Sequence, residues 1–154
     1  MKIRNGIYTL YDGFIFRLSN EITHFSLLYD GENCPFPWFK KYVDGIYYTD
    51  VPTNKVTNAF GIDTFCIYKG YQFGVRNINT NMGRMNIVRI GTNDKEAYVA
   101  LNLKSDEDKF PGYDAEVNIN EFDRMWETRK PSTYCGLPFP TGLNEIEEII
   151  WRHL

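Results

Sequence analysis

One near-repetition constrains this chain more than any other feature. Residues 7–20 read IYTLYDGFIFRLSN and residues 64–77 read TFCIYKGYQFGVRN, with Tyr11/Tyr68, Gly13/Gly70, Phe16/Phe73 and Asn20/Asn77 identical at an offset of 57. A shorter echo, YCGLPF at 134–139, keeps the same Tyr-x-Gly-x-x-Phe spacing through Tyr134, Gly136 and Phe139. In each long copy two β-rich runs flank a two-residue break, Asp12-Gly13 or Lys69-Gly70. Asp-Gly is a strong hairpin signal, because a type I′ turn needs positive φ at both central positions. Lys is less suited to the first of them. A two-residue loop pairs Tyr68 with Tyr71 and Cys66 with Phe73, which puts the motif's Tyr and Phe diagonally on one face. The repeated motif therefore reads as a device for building a sheet core.

The parallel extends past the hairpins. YYTDVPTNKVTNAF (47–60) aligns with YDAEVNINEFDRMW (113–126) without a gap, at an offset of 66. Val56, Ala59 and Phe60 in one, and Phe122, Met125 and Trp126 in the other, have i, i+3, i+4 spacing. That pattern predicts a short helix packed on a sheet in each copy. Asn118 with Glu121 three residues on is a capping-box signature, and Pro52 suits a helix start. ITHFSLLY (22–29) and RMNIVRI (84–90) read as further strands, and AYVALNL (97–103) as another. The divergent stretches are 31–45 and 93–112; in the first, Pro35 and Pro37 bound a loop before a short turn at Trp38–Tyr42. LNEIEEIIWRHL (143–154) reads as a closing helix, with Leu143, Ile146, Ile150 and Leu154 on one side and acids in its first turns, where the helix dipole favours them.

These pieces predict a sheet-dominated α+β fold. A 154-residue chain fits one domain that buries roughly 70% of its unfolded surface. One repeat alone is too small for much stability, so the reading is a single domain over 1–154: a first half-repeat at 1–63, a second at 64–130, and a partial repeat with a capping helix at 131–154. No run approaches the length of a membrane-spanning helix. MKIRNGIYTL begins basic with no apolar stretch after it, which argues against a secretory leader. Cys34, Cys66 and Cys135 are an odd number at unrelated spacings, so free thiols in a reducing compartment are expected rather than disulfides or zinc. Together these predict a cytoplasmic protein.

Charge is unevenly placed. Residues 1–77 carry eight basic and seven acidic side chains, and residues 78–154 carry nine and thirteen. Within 94–127 ten acids face four bases, a net charge of −6. Such asymmetry marks either a solvated face or a charged partner.

Candidate chemistry is sparse. His24 and His153 are the only histidines, and neither has a sequence neighbour that would make it a base. GYQFG lacks the Lys and spacing of a phosphate loop, SDEDKFPGYD misses the rhythm of a calcium loop, and Glu145, Glu147 and Glu148 read as helix-surface acids. Arg84 and Arg89 are too few for a nucleic-acid stripe. The expectation is no catalysis, no cofactor and no metal.

The arrangement in DVPTNKVTNAFGIDTFCIYKGYQFGV (50–75) and its partner at 116–139 resembles the immunity proteins of Gram-positive bacterial polymorphic or contact-dependent toxin systems. The resemblance implies a cytoplasmic protein that binds a cognate toxin domain, with a nuclease as the candidate class, and occludes its active site. It transfers no binding residues. From the residues themselves, variable segments on a rigid frame are where recognition resides, which places the contact surface on 104–116. Asp106, Glu107, Asp108, Asp114 and Glu116 are the candidate partner-binding residues, acting on a basic cleft as mimics of a polyanion. The alternative is a carbohydrate-type binding module, supported by the aromatic fraction of 16%. For that reading Trp38, Tyr42 and Tyr47 would line one pocket.

Overall fold

The computed structural model describes residues 3–30, 33–43, 45–77, 86–92, 94–105 and 113–150. Its backbone is sheet-dominated and broadly α+β, and every strand pairing whose register is defined is antiparallel. The chain divides into two compact units. One comprises Gly6–Ile62 and Arg129–Glu145; the other comprises Met1–Asn5, Asp63–Thr128 and Ile146–Leu154.

The unit containing 6–62 opens with β1 (Gly6–Tyr11) and β2 (Phe14–Asn20), joined through Asp12-Gly13. Both turn residues have positive φ, 50° and 81°, as a type I′ turn requires, and Tyr11 pairs with Phe14 as read from the sequence. β2 alternates, burying Phe16 and Leu18 while Arg17 lies on the other face. β3 (Phe25–Asp30) pairs with β2, β5 (Ile46–Val51) with β3, and β4 (Lys40–Val43) with β5. The first three residues of β6 (Phe60–Tyr68) close back on β1. The core gathers Phe16, Leu18, Phe25, Leu27, Phe36 and Phe39, with Val51, Val56 and Ala59 from the return segment. Each such side chain contributes about 1.5–3 kcal/mol when fully buried.

The helix expected over 47–60 does not form. Residues 46–51 are strand, and Thr53–Lys55 make a single 3-10 turn. Asn58 explains why the turn stops there. Its buried side-chain amide accepts from the Leu10 backbone N–H at 2.8 Å and donates to the Leu10 carbonyl at 2.9 Å. The amide stands in for a neighbouring strand, so the segment is held extended. The turn foreseen at Trp38–Tyr42 is likewise short, and strand β4 begins at Lys40.

In the other unit the rest of β6 and β7 (Tyr71–Asn77) form a hairpin through Lys69 (φ 49°) and Gly70 (φ 85°), with Tyr68 opposite Tyr71 and Cys66 opposite Phe73. β8 (Ile87–Thr92) pairs with β7. Next come α1 (Lys95–Leu101), β9 (Lys104–Ser105), β10 (Tyr113–Asn118), β11 (Arg124–Pro131) and β12 (Ile146–Glu148). β10 pairs with β8 and β9, and β11 with β6 and β12. Cys66, Tyr68, Phe73, Val75, Val88, Ile90, Phe122 and Met125 make the core. Residues 3–5 are sewn to this unit: the Asn77 amide bonds both backbone groups of Ile3, and Asn5 bridges the Val75 carbonyl and the Thr64 N–H.

Three sequence expectations are corrected here. The helix over 113–126 is a strand, one 3-10 turn (Ile119–Glu121) and a second strand. The capping box is present, with Asn118 and Glu121 in reciprocal bonds, but after one turn the Asp123 N–H turns to the Ile67 carbonyl at 3.0 Å and continues as sheet. The closing helix over 143–154 is replaced by strand β12, bonded to the edge of β11; 151–154 lie outside the described residues. The strand read at 97–103 is the helix α1. Its caps were in the sequence: the Asp94 side chain accepts from the Glu96 N–H, and Asn102 closes the end in the left-handed region at φ 52°.

Candidate partner-binding surface

β10 carries two of the five acids that the charge pattern singled out, Asp114 and Glu116. Ala115 and Val117 pack against the core, so Glu116 between them faces outward. Glu116 pairs in register with Arg89 of β8, and Arg89 Nη2 lies 3.5 Å from Glu116 Oε1, with both side chains about half exposed. Asp114 takes a backbone position opposite Gly91 on one side and Lys104 on the other. Asp106, Glu107 and Asp108 lie outside the described residues. Glu116 is thus the one candidate whose side chain is placed, and it stands in an ion pair. An exposed pair of this kind contributes little to stability and is screened by salt. It can exchange its cation for one on a partner at small cost.

A second exposed surface was not singled out by charge. Phe36 lies 4.9 Å from the Phe14 ring, 5.2 Å from Phe16 and 5.3 Å from Trp38. Phe36 is buried, while Phe14 (53%) and Trp38 (56%) expose half their surface above it. Tyr42 is exposed at 71% on β4. Aromatic surface anchored on a packed core is rigid and amphipathic, the material of protein contacts. The sequence signal was the loop composition CPFPWF at 34–39.

Trp38, Tyr42 and Tyr47 do not share the pocket that a carbohydrate module needs. Tyr47 packs inward on the aromatic core, and Tyr42 meets the ring of Tyr48 at 6.2 Å. Tyr47 and Tyr48 are neighbours in one strand and point to opposite faces.

His24 lies just before β3, not within a strand as read from the sequence. Its Nε2 is 3.4 Å from Asp50 Oδ1, and the buried Ser26 hydroxyl donates to the same oxygen at 2.7 Å. Hydrolytic triads place the imidazole between carboxylate and hydroxyl, so that it can take the hydroxyl proton. Here the carboxylate is central, and the histidine has no path to that proton. Cys66 is fully buried, and burial pushes its thiol up to about 12, which keeps it un-ionised and non-nucleophilic at neutral pH. Among the described residues no three His, Cys, Asp or Glu side chains converge as a metal site would need. None of the described helices is long and apolar enough to cross a membrane.

Two further ion pairs tie segments of the described parts together. Arg4 grips the buried Glu127 through two bonds of 2.7 and 2.8 Å. Arg124 holds Glu148 in a fork and lies over the Trp126 ring, 4.3 Å from its centroid. That guanidinium lowers the Glu148 carboxyl below its usual range.

A family model described as Uncharacterised conserved protein UCP033725 matches residues 3–134. Comparison with curated proteins and with solved structures finds no match.

Proposed function

The chain belongs to the family Uncharacterised conserved protein UCP033725, and we propose that it is a cytoplasmic binding inhibitor, an immunity protein that neutralises a cognate toxin domain by occluding its active site. The scaffold of this reading is a duplication. Hairpin β1–β2, strands β3 and β5, a 3-10 turn and a returning strand follow one another in one unit. Hairpin β6–β7, strands β8 and β10, a 3-10 turn and a returning strand follow in the other. The carrying observation is what interrupts each series at the same point. Strand β4 and the turn before it, with exposed Trp38, Tyr42 and Val43, lie between β3 and β5, and α1–β9 with exposed Val99 lies between β8 and β10. Like frames with unlike, exposed insertions are the division of labour expected of a recognition protein.

On this reading Asp106, Glu107, Asp108, Asp114 and Glu116 steer a basic toxin cleft onto the second insertion. A nuclease domain has such a cleft. The test is co-expression with the toxin domain encoded beside the gene in its native genome. The chain should restore growth, and charge reversal of the five acids should slow association about tenfold or more at low salt. Failure of any neighbouring toxin to be bound or blocked would refute the reading. Binding indifferent to those acids and to salt would refute the site alone.

A further inference from the structure

We propose that the outer face of strands β6, β7 and β8 holds a nucleoside monophosphate, its ring on a floor of two glycines and its phosphate between two arginines. Cys66, Phe73, Val75, Val88 and Ile90 turn into the core, so Phe65, Gln72, Gly74, Arg76, Arg89 and Gly91 turn the other way. Register brings these groups together. Phe65 lies opposite Gly74, Gly74 opposite Gly91, and Arg76 opposite Arg89. Gln72, Arg76 and Arg89 are exposed, and Phe65 is half-buried.

Two observations select the occupant. The first is a pair of like charges. Arg76 and Arg89, directly opposite one another, repel, and an oxyanion held by both removes that repulsion. Glu116 engages Arg89 at 3.5 Å, but Arg76 has no hydrogen-bond or ion-pair partner among the described residues. The three side chains leave one positive charge uncompensated. A phosphate monoester, with a charge of about −2 and oxygens that match the guanidinium fork, is the anion two arginines hold best. The second observation is the bare floor. Gly74 lies outside the left-handed region, and a Cβ there would meet only the Gly91 carbonyl oxygen at 3.8 Å, an ordinary contact. Pairing runs through Gly74 without a register shift, so no bulge calls for it. Glycine inside a strand otherwise marks close approach by a ligand. A flat ring fits that space, lying on the two bare peptide planes with the Phe65 ring beside it. Phe65 is itself backed by Trp126, their centroids 5.9 Å apart. The arginine pair lies two residues along the strands from the glycine pair, about 7 Å, the reach of a ribose between base and phosphate. Gln72, two residues the other way, offers an amide to the polar edge of the ring.

This site does not rest on the inhibitor reading, and its test needs no toxin. AMP, GMP, CMP and UMP are titrated against the full chain, with inorganic phosphate and adenosine as controls. At least one monophosphate should bind about tenfold or more tightly than either control. Arg76→Gln should weaken that binding about tenfold and flatten its salt dependence. Gly74→Val should raise the thermal midpoint, because valine suits a strand, and should abolish binding by filling the floor. Hexa-adenylate should bind no more tightly than AMP, since the described strands of this face set no second arginine pair in register. Several results would overturn the proposal: no monophosphate bound at millimolar concentration, full affinity in folded Gly74→Val or Arg76→Gln variants, or a Gly74→Val chain less stable than its parent. Hexa-adenylate binding more than about tenfold tighter than AMP would overturn it in favour of a nucleic-acid strand. Each of those results would leave the inhibitor reading intact.

Discussion

The hairpins at 6–20 and 60–77 make the same turn and then support different surfaces. Both place a non-glycine residue at φ near 50° followed by glycine beyond 80°. In the first, Phe16 is buried among Phe36 and Phe39 while Phe14 stays half exposed against the edge of Phe36. In the second, Phe73 and Tyr68 are edge-to-face at 6.1 Å, and Phe122 from the 3-10 segment meets Tyr68 at 6.3 Å. Tyr68 is buried as a result. The same local code thus leaves one hairpin with an open aromatic tip and seals the other. What differs is the element brought against it: a Pro-rich insertion in one case, a capped turn in the other.

The largest expected effect tests whether the motif phenylalanines are equivalent core members. Phe16→Ala and Phe73→Ala should each cost about 3–5 kcal/mol, read from urea midpoints, while Phe14→Ala should cost about 1 kcal/mol or less. A Phe14→Ala loss equal to that of Phe16→Ala would erase the distinction between open and sealed hairpins.

The second prediction concerns Cys66, which pairs with Phe73 and has Thr9, not a thiol, at the aligned place in the first hairpin. Its folded pKa is raised from 9.0 to about 12 by burial. The stabilising preference for the neutral thiol is complete below pH 9 and is lost progressively as pH rises toward 12, because only the unfolded chain ionises in that window. About three units correspond to about 4 kcal/mol at most. Cys66→Ala should flatten the alkaline decline measured by denaturant titration from pH 8.5 to 11. An unchanged slope would show that this thiol is not its source.

Smaller effects come from the turns. Gly13→Ala and Gly70→Ala put a Cβ at φ 81° and 85° and should each cost about 1–2 kcal/mol. Lys69→Asn should raise stability by a few tenths of a kcal/mol, because Asn tolerates the left-handed region better, while Asp12→Asn should be near neutral. Lys69 Nζ rests 5.2 Å from the centroid of the Tyr68 ring, a contact that offsets part of its strain. A loss on Lys69→Asn would mean that this contact outweighs the backbone term.

These turns show what the sequence could reveal. Asp12-Gly13 and Lys69-Gly70 determine geometry within four residues, and so does the Asn118–Glu121 capping box, so all were readable. The helices over 47–60 and 113–126 were not, because what ends them is remote. Asn58 bonds Leu10, and Asp123 bonds Ile67, each more than forty residues away. The apolar i, i+3, i+4 spacing was real burial, since Val56, Ala59, Phe60, Phe122, Met125 and Trp126 are all buried. An extended chain inside a two-sided core buries them equally well. For β12 the acids near 145–148 suited a helix start, but the edge of β11 offered backbone partners that local spacing cannot announce. At the candidate surface, the acidity of 104–116 was visible, whereas the Arg89 opposite Glu116 needed the β8–β10 register.

The most direct test of the account is a calorimetric titration of the chain with the toxin domain encoded beside it, at two salt concentrations. The account predicts a one-to-one complex that blocks the toxin's activity and weakens as salt rises. No association at micromolar concentrations, or a complex that leaves the toxin fully active, would contradict it.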